Sequence, residues 1–297
     1  SMDGGRFFYP NPLSSDGKYA FNADNTKTRQ PWFGCACCPS NLCRFIPSVP
    51  GYLYGVKDNN IYVNLFAANT STIQVGGKDV VLEESTQYPW DGDIQIRVVK
   101  SAAKNANLLV RIPGWIQNQV LPSDLYKYSD TAKPAYTVSV NGKKVEADFV
   151  ANKGYLPVKN IKKGDVVRIH FDMPVRTVVA NNNVKDDEGR VAVERGPIVY
   201  CAEAADNQNE PVLRAVIGKQ PTFDVVDNYK IDNTETKGAP AFAVKAITTQ
   251  AQMLEDGANG VSVKNQKLTL IPYYAWNHRG ADQMNVWFVQ SLKMLDK

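Results

Sequence analysis

The sequence predicts a mainly β protein made of antiparallel, jelly-roll-like β-sandwiches. Three observations predict it. Short segments alternate apolar and polar residues with the period of two that half-buries a strand. Turn residues separate these segments at close intervals. Windows with helical spacing are few.

The elements follow in order. The region up to about residue 55 stands apart: it is rich in Asn, Pro and Cys and shows no strand alternation. Its one plausible helix follows Pro39, where Leu42, Phe45, Ile46 and Val49 recur at helical spacing. Pro39 suits the first helical position, and Pro47 and Pro50 limit the helix to roughly two turns. From Asn60 onward the pattern is strand, opening with Ile61-Tyr62-Val63-Asn64-Leu65-Phe66. Ile94-Gln95-Ile96-Arg97-Val98 alternates cleanly, and Leu108 to Ile112 ends at Pro113-Gly114. Tyr136 to Val140 meets Asn141-Gly142, a strong hairpin signal. The turn Lys163-Gly164-Asp165 leads to Val167, Ile169 and Phe171 on one strand face. Arg190 to Glu203, Leu268 to Tyr274 and Met284 to Val289 complete the set, while Asp206 to Pro240 is looser and polar. These features divide the chain into residues 1–55, a sandwich over 56–180, and a second sandwich, or a continuation of the first, over 181–297. The last boundary falls at Asn181-Asn182-Asn183.

Composition narrows the function classes. The chain has 297 residues, 43% of them apolar, and a formal net charge of +4. That length holds a sizeable core and more than one domain. The basic residues are dispersed, and pairs such as Lys143-Lys144 and Lys162-Lys163 sit at turns, so no nucleic-acid footprint is expected. No apolar run approaches the roughly 20 residues of a membrane span. Ser1-Met2 reads as an expression remnant ahead of sequence that begins as if mid-protein, so the natural N-terminus is expected upstream.

Four of the five cysteines, Cys35, Cys37, Cys38 and Cys43, fall in one short run. Thiols crowd in this way for disulfides, for a thiophilic metal, or for a thiolate nucleophile. A bridge between adjacent Cys37 and Cys38 is strained, and Cys35–Cys43 would staple little. A zinc site needs four ligands, and the two histidines, His170 and His278, are distant in sequence. His170 reads as a surface residue on a polar strand face. A reactive thiolate suits Cys37 and Cys38, which immediately precede the helix, because the free N–H groups and positive dipole end of a helix favour an anion. Cys43 reads as a small residue packed on the helix's apolar stripe, and Cys201 as a buried strand residue. Glu83 and Glu84 are placed before a turn and Glu194 and Glu203 in a strand segment, all four with surface or structural roles.

The run Trp32-Phe33-Gly34-Cys35-Ala36-Cys37-Cys38-Pro39-Ser40-Asn41, preceded by Phe7-Phe8-Tyr9-Pro10-Asn11-Pro12-Leu13, resembles the signature of the cysteine-dependent β-L-arabinofuranosidases, a glycoside hydrolase family. Arg195 to Tyr200, Ile271 to Trp276, Asn277 to Gly280 and Met284 to Trp287 agree, so the resemblance runs from about Asp3 to about Phe288. It implies a protein with an N-terminal (α/α)6 barrel followed by β-sandwiches, of which this chain carries a short helical remnant of the barrel and the sandwiches. It implies that Cys37 is the nucleophile of a retaining glycosidase and Cys38 a ligand of zinc. Cys35 matches a motif cysteine without an assigned role, and Tyr9 an aromatic that touches the sugar. The acid/base glutamate and the remaining zinc ligands are expected upstream of Ser1, in the natural barrel domain. The isolated chain is therefore expected to be inactive. The partner implied is a glycan bearing L-arabinofuranosides. The competing reading is a carbohydrate-binding or structural β-sandwich module without catalysis, suggested by Trp90, Trp115 and Trp276.

Overall fold

The structure, a computed structural model, describes residues 1–146, 149, 153–231, 234–235, 240–253 and 259–294. It is mostly strand, as the alternation predicts. The chain divides into two compact units. One gathers Ser1–Ser40, Val120–Asp130 and Val175–Lys297, and the other gathers Asn41–Gln119 and Thr131–Pro174.

The second unit is a sandwich of two sheets. In spatial order, the six-stranded sheet runs Lys143–Lys144, Tyr136–Val140, Val166–Phe171, Asp93–Ser101, Lys78–Thr86 and Asn69–Val75. The four-stranded sheet runs Tyr155–Val158, Asn107–Arg111, Asn60–Val63 and Tyr54–Lys57. Alternate residues of each turn inward: Leu82, Ile96, Val98 and Val167 from one sheet, and Ile61, Val63, Leu108 and Val110 from the other, are all 0% exposed. Each such side chain stabilises the fold by about 1.5–3 kcal/mol. The sheets meet where the Phe66 ring lies 5.7 Å from Phe171 and where Tyr54 Oη donates to Glu84 Oε2 at 2.8 Å. Named strand pairs are antiparallel except Asn60–Val63 with Asn107–Arg111, which run parallel. The chain between those two crosses through the other sheet, and a parallel pair requires such a long crossover.

Local signals set the corners. Asn141 (φ 50°) and Gly142 (φ 81°) both adopt left-handed backbone, as the two-residue hairpin demands. Gly92 is required for a different reason: a Cβ there would lie 1.9 Å from the Phe171 carbonyl oxygen. Glu83 and Glu84 lie near the end of the strand Lys78–Thr86, ahead of the turn at residues 88–90, and of the two Glu84 is buried in a structural role. The alternation that aims Leu82 inward also aims Glu84 inward, and Tyr54 and the Ala67 N–H satisfy its carboxylate.

In the first unit, Phe223–Val226, Ala241–Met253, Asn259–Pro272, Ile198–Glu203, Arg190–Arg195, Val175–Ala180 and Tyr126–Tyr128 lie side by side in one antiparallel sheet. Ser14–Asp16 joins it through Gln283–Asn285. Tyr200, Trp276, Phe242 and Phe288 fill the core at 0–1% exposure.

The helix α1 spans Cys37–Ser48, longer than the two turns expected, with Pro47 inside its last turn. Pro39 sits at its third position, which costs no bond because the first N–H groups of a helix have no intrahelical acceptor. Cys43 is exposed rather than packed. So are Leu42, Phe45 and Ile46, so the apolar stripe that was to cover Cys43 is itself uncovered. Among the described residues no helix is long and apolar enough to cross a membrane.

Candidate active site

The site is built where an irregular N-terminal segment meets the first turn of α1. Phe7 pairs with Gln30 through both backbone hydrogen bonds (2.9 Å each), which lays the Phe7–Tyr9 segment beside the chain entering the cysteine run. Asn22 fixes the next step: its Oδ1 accepts from the Tyr9 N–H at 2.8 Å and its Nδ2 donates to the Thr28 carbonyl at 2.9 Å. Phe33 is 1% exposed and makes T-shaped contacts with both Phe7 and Tyr9, with ring centroids 5.3 Å away in each case. The Gly34 N–H donates to Asp24 Oδ2 at 2.9 Å, anchoring the residue before Cys35.

The outcome is a convergence of three side chains. Tyr9 Oη lies 2.7 Å from Cys37 Sγ and 3.5 Å from Cys35 Sγ, and the two sulfurs are 3.9 Å apart. The five cysteines are free thiols; Cys35, Cys37, Cys38 and Cys43 are exposed and Cys201 is buried. Cys37 is the first residue of α1, and Cys38 follows on the same turn, beside the helix's free N–H groups. The Tyr9 hydroxyl foremost, then the Cys35 thiol, hold the Cys37 thiol below its ordinary range. The thiols of Cys37 and Cys35 push the Tyr9 phenol well above its own. The short contact to the phenol and the place at the start of the helix both favour the anionic form of the Cys37 sulfur.

The structure thus brings Tyr9, Cys35 and Cys37 together, with Cys38 adjacent. The four glutamates lie elsewhere in structural roles. Glu83 pairs with Arg97, Glu84 with Tyr54, Glu194 with Tyr128 and Glu203 with Arg279. His170 is exposed on its strand between Asp93 and Asp172. Trp276 and Trp115 are 0% and 8% exposed, so neither offers a face for a sugar to stack on.

The donor chemistry suits zinc, since Cys thiolates are among its preferred ligands. The donor number does not. Among the described residues no three His, Cys, Asp or Glu side chains converge as a metal cage. These residues supply part of a tetrahedral set and no more.

Sequence reading missed the support beneath the site. Arg29 spreads over the Phe8 ring, its guanidinium carbon 4.2 Å from the centroid, and donates through Nε to the Trp276 carbonyl at 3.0 Å. The Arg29 N–H donates to Asn277 Oδ1 at 3.1 Å, and the Asn277 N–H to Glu203 Oε1 at 3.0 Å. Arg279 then holds Glu203 at 2.7 Å and Asp206 at 2.5 Å, both carboxylates fully buried. Burial pushes the Glu203 carboxyl up, and Arg279 opposes that shift. The signal was present in Asn277-His278-Arg279-Gly280, but partners some 247 positions away are invisible to local patterning.

Comparison with known proteins gives consistent matches along the chain. Residues 1–51 match the family model of the β-L-arabinofuranosidase GH127 catalytic domain, residues 60–173 that of the β-L-arabinofuranosidase GH127 middle domain, and residues 175–289 that of the glycoside hydrolase family 127 C-terminal domain. A non-reducing end β-L-arabinofuranosidase of Bifidobacterium longum subsp. longum is 31% identical over 97% of this chain and 42% of its own length. A solved GH127 β-arabinofuranosidase is 47% identical, with a TM-score of 0.84 over 99% of this chain and 43% of that one. A crystal structure of a GH127 β-L-arabinofuranosidase from Geobacillus stearothermophilus is 30% identical, with a TM-score of 0.79 over 97% of this chain and 43% of that one. The chain therefore spans less than half the length of these relatives.

Proposed function

The chain belongs to glycoside hydrolase family 127, and on that premise we propose that it carries the thiol half of the active site of a retaining β-L-arabinofuranosidase. The observation that carries this reading is the Tyr9 hydroxyl 2.7 Å from Cys37 Sγ at the first residue of α1.

Cys37 is the nucleophile. Its thiolate attacks the anomeric carbon of the L-arabinofuranoside, forming a C–S bond as the glycosidic C–O bond breaks. The departing oxygen takes a proton from a general acid outside these residues. Water, deprotonated by the same group, then attacks the anomeric carbon, and the sulfur leaves as thiolate. Tyr9 keeps its own proton and donates a hydrogen bond to the sulfur, favouring the anionic form both before attack and on departure. By the family resemblance, Tyr9 is also the aromatic that touches the sugar. Cys35, sharing the Tyr9 hydroxyl, orients that donor.

Cys38 is the residue this chain would offer to zinc, with the remaining ligands drawn from the longer protein. When bound, zinc stabilises thiolate and improves sulfur as a leaving group. The isolated chain, lacking the acid and the full ligand set, is inactive on this reading.

The test uses the longer protein containing this segment. Cys37→Ala should lower hydrolysis of an aryl β-L-arabinofuranoside by roughly 10⁴-fold or more. A sugar-mimicking electrophile should label Cys37 in the parent protein. A Cys37→Ala variant with wild-type turnover would falsify the assignment.

A further inference from the structure

The outer face of the six-stranded sheet carries a groove of about 440 Å³, within the usual range of small-molecule sites. Strand register builds it. Ser85, Gln95, Arg168 and Ser139 are successive partners across four adjacent strands, forming one row. Asp93, His170 and Thr137 form the next row, two residues along. Ser85 on one side and Ser139 and Thr137 on the other present short hydroxyl side chains, Gln95, Arg168 and His170 stand between them, and Ile94 and Ile169 complete the lining.

The face is rigid and its long side chains are already held. On the inner side of the same strands Ile94, Ile169, Val138 and Val167 are 0–2% exposed, which fixes the backbone. Arg168 Nε donates to Gln95 Oε1 at 3.2 Å. His170 Nδ1 is 2.6 Å from Asp93 Oδ1, and its Nε2 is 3.1 Å from Asp172 Oδ1. A ligand therefore meets donors and acceptors already pinned, which limits the side-chain entropy lost on binding.

Charge and polarity narrow the occupant. The lining holds one carboxylate, Asp93, and one guanidinium, Arg168, with the His170 imidazole hydrogen-bonded between Asp93 and the neighbouring Asp172, so no one sign of charge dominates. A polyanion needs several cations on one track, and none is present here. No exposed large apolar side chain lines the groove, which disfavours an amphipathic helix or an apolar ligand. A face of hydroxyl, amide and guanidinium groups set among apolar side-chain stems, with no dominant charge, complements an uncharged molecule that offers both hydroxyl and C–H surfaces. We propose that this groove is a second, non-catalytic glycan-binding site that takes a neutral oligosaccharide. It rests on the proposed activity for the sugar class alone, and on no residue of the thiol site.

The test is titration of the 297-residue chain with a linear neutral arabino-oligosaccharide, followed by amide NMR. Shifts should centre on Ser85, Gln95, Ser139 and Arg168, with a Kd of about 1 mM. Arg168→Ala and, by filling the groove, Ser139→Trp should each weaken binding by about tenfold or more at unchanged Tm. A uronate-bearing oligosaccharide should bind more weakly than the neutral one. Absence of shifts, shifts centred elsewhere, both variants binding as the parent does, or preference for the uronate would overturn the proposal. Cys37→Ala should leave this binding unchanged. If that variant stays active in the longer protein, the catalytic reading fails and the groove does not.

Discussion

Each of the two units owes its internal stability to a different kind of force. In the sandwich of residues 41–119 and 131–174, stability comes from strand faces whose apolar residues repeat every second position, and one carboxylate, Glu84, is buried among them without a cation. In the unit carrying Cys35, Cys37 and Cys38, an irregular N-terminal segment is tied to the sheet by polar and charged links, running from Asn22 and Arg29 through Asn277 to Glu203, Arg279 and Asp206. A repeating apolar face makes a rigid sheet, but cannot fix one loop in one place. Directional hydrogen bonds between unlike partners can, and that is what a thiol held against a phenol requires.

The largest expected effect breaks the polar side of this contrast. Arg279→Met leaves Glu203 and Asp206 buried and unpaired, and should destabilise its unit by about 3–5 kcal/mol. Urea unfolding monitored by hydrogen exchange should show loss of protection at residues 190–203 and 268–272 with the sandwich strands retained. Equal loss in both units would erase the distinction. Gly92→Ala tests the sandwich by steric means alone. A Cβ 1.9 Å from the Phe171 oxygen forces backbone movement, and we expect a cost of about 3 kcal/mol in thermal unfolding, confined to that unit.

Glu84→Gln tests the lone carboxylate. Burial pushes Glu84 up to about 7, against about 4.3 in an unfolded chain. Between those values the folded state binds more protons than the unfolded one, so this residue's contribution to stability falls as pH rises from about 4.3 to about 7 and is constant above. The amide removes that loss. It should stabilise the protein by about 2 kcal/mol at pH 8 and change little at pH 4, measured by denaturant midpoints. A variant less stable than the parent at pH 8 would refute this reading of the site. The smallest effect sharpens the other side. Tyr9→Phe removes the nearest polar contact of Cys37 and should raise that thiol toward its ordinary range, slowing its alkylation at neutral pH and moving the pH profile toward alkali, with Tm nearly unchanged.

Much of the fold was legible because its cause is local. The alternation over Ile94 to Val98 and Val167 to Phe171, and the Asn141-Gly142 turn, follow from backbone geometry within a few residues, and the strands Asp93–Ser101 and Val166–Phe171 bear them out. The association of Tyr126–Tyr128 with Val178–Ala180 was not legible, because three residues carry too little pattern to name their partner. The exposure of Cys43 misled for a related reason: helical spacing identifies an apolar stripe, but not whether anything covers it. The burial of Glu84 was not legible because a charged residue at an inward position interrupts the apolar pattern until Tyr54 is seen to satisfy it.

By itself, the sequence determined the β architecture, the family, and the crowding of thiols at the start of a helix, because each is encoded in neighbouring residues. Tertiary structure decided that Tyr9 meets Cys37 rather than packing away, that Glu203 is a buried anchor rather than a surface charge, and that the polar face around Arg168 is concave. Those outcomes depend on which distant segments lie side by side, and hydrogen bonds formed only across such approaches leave no periodic trace in the chain that makes them.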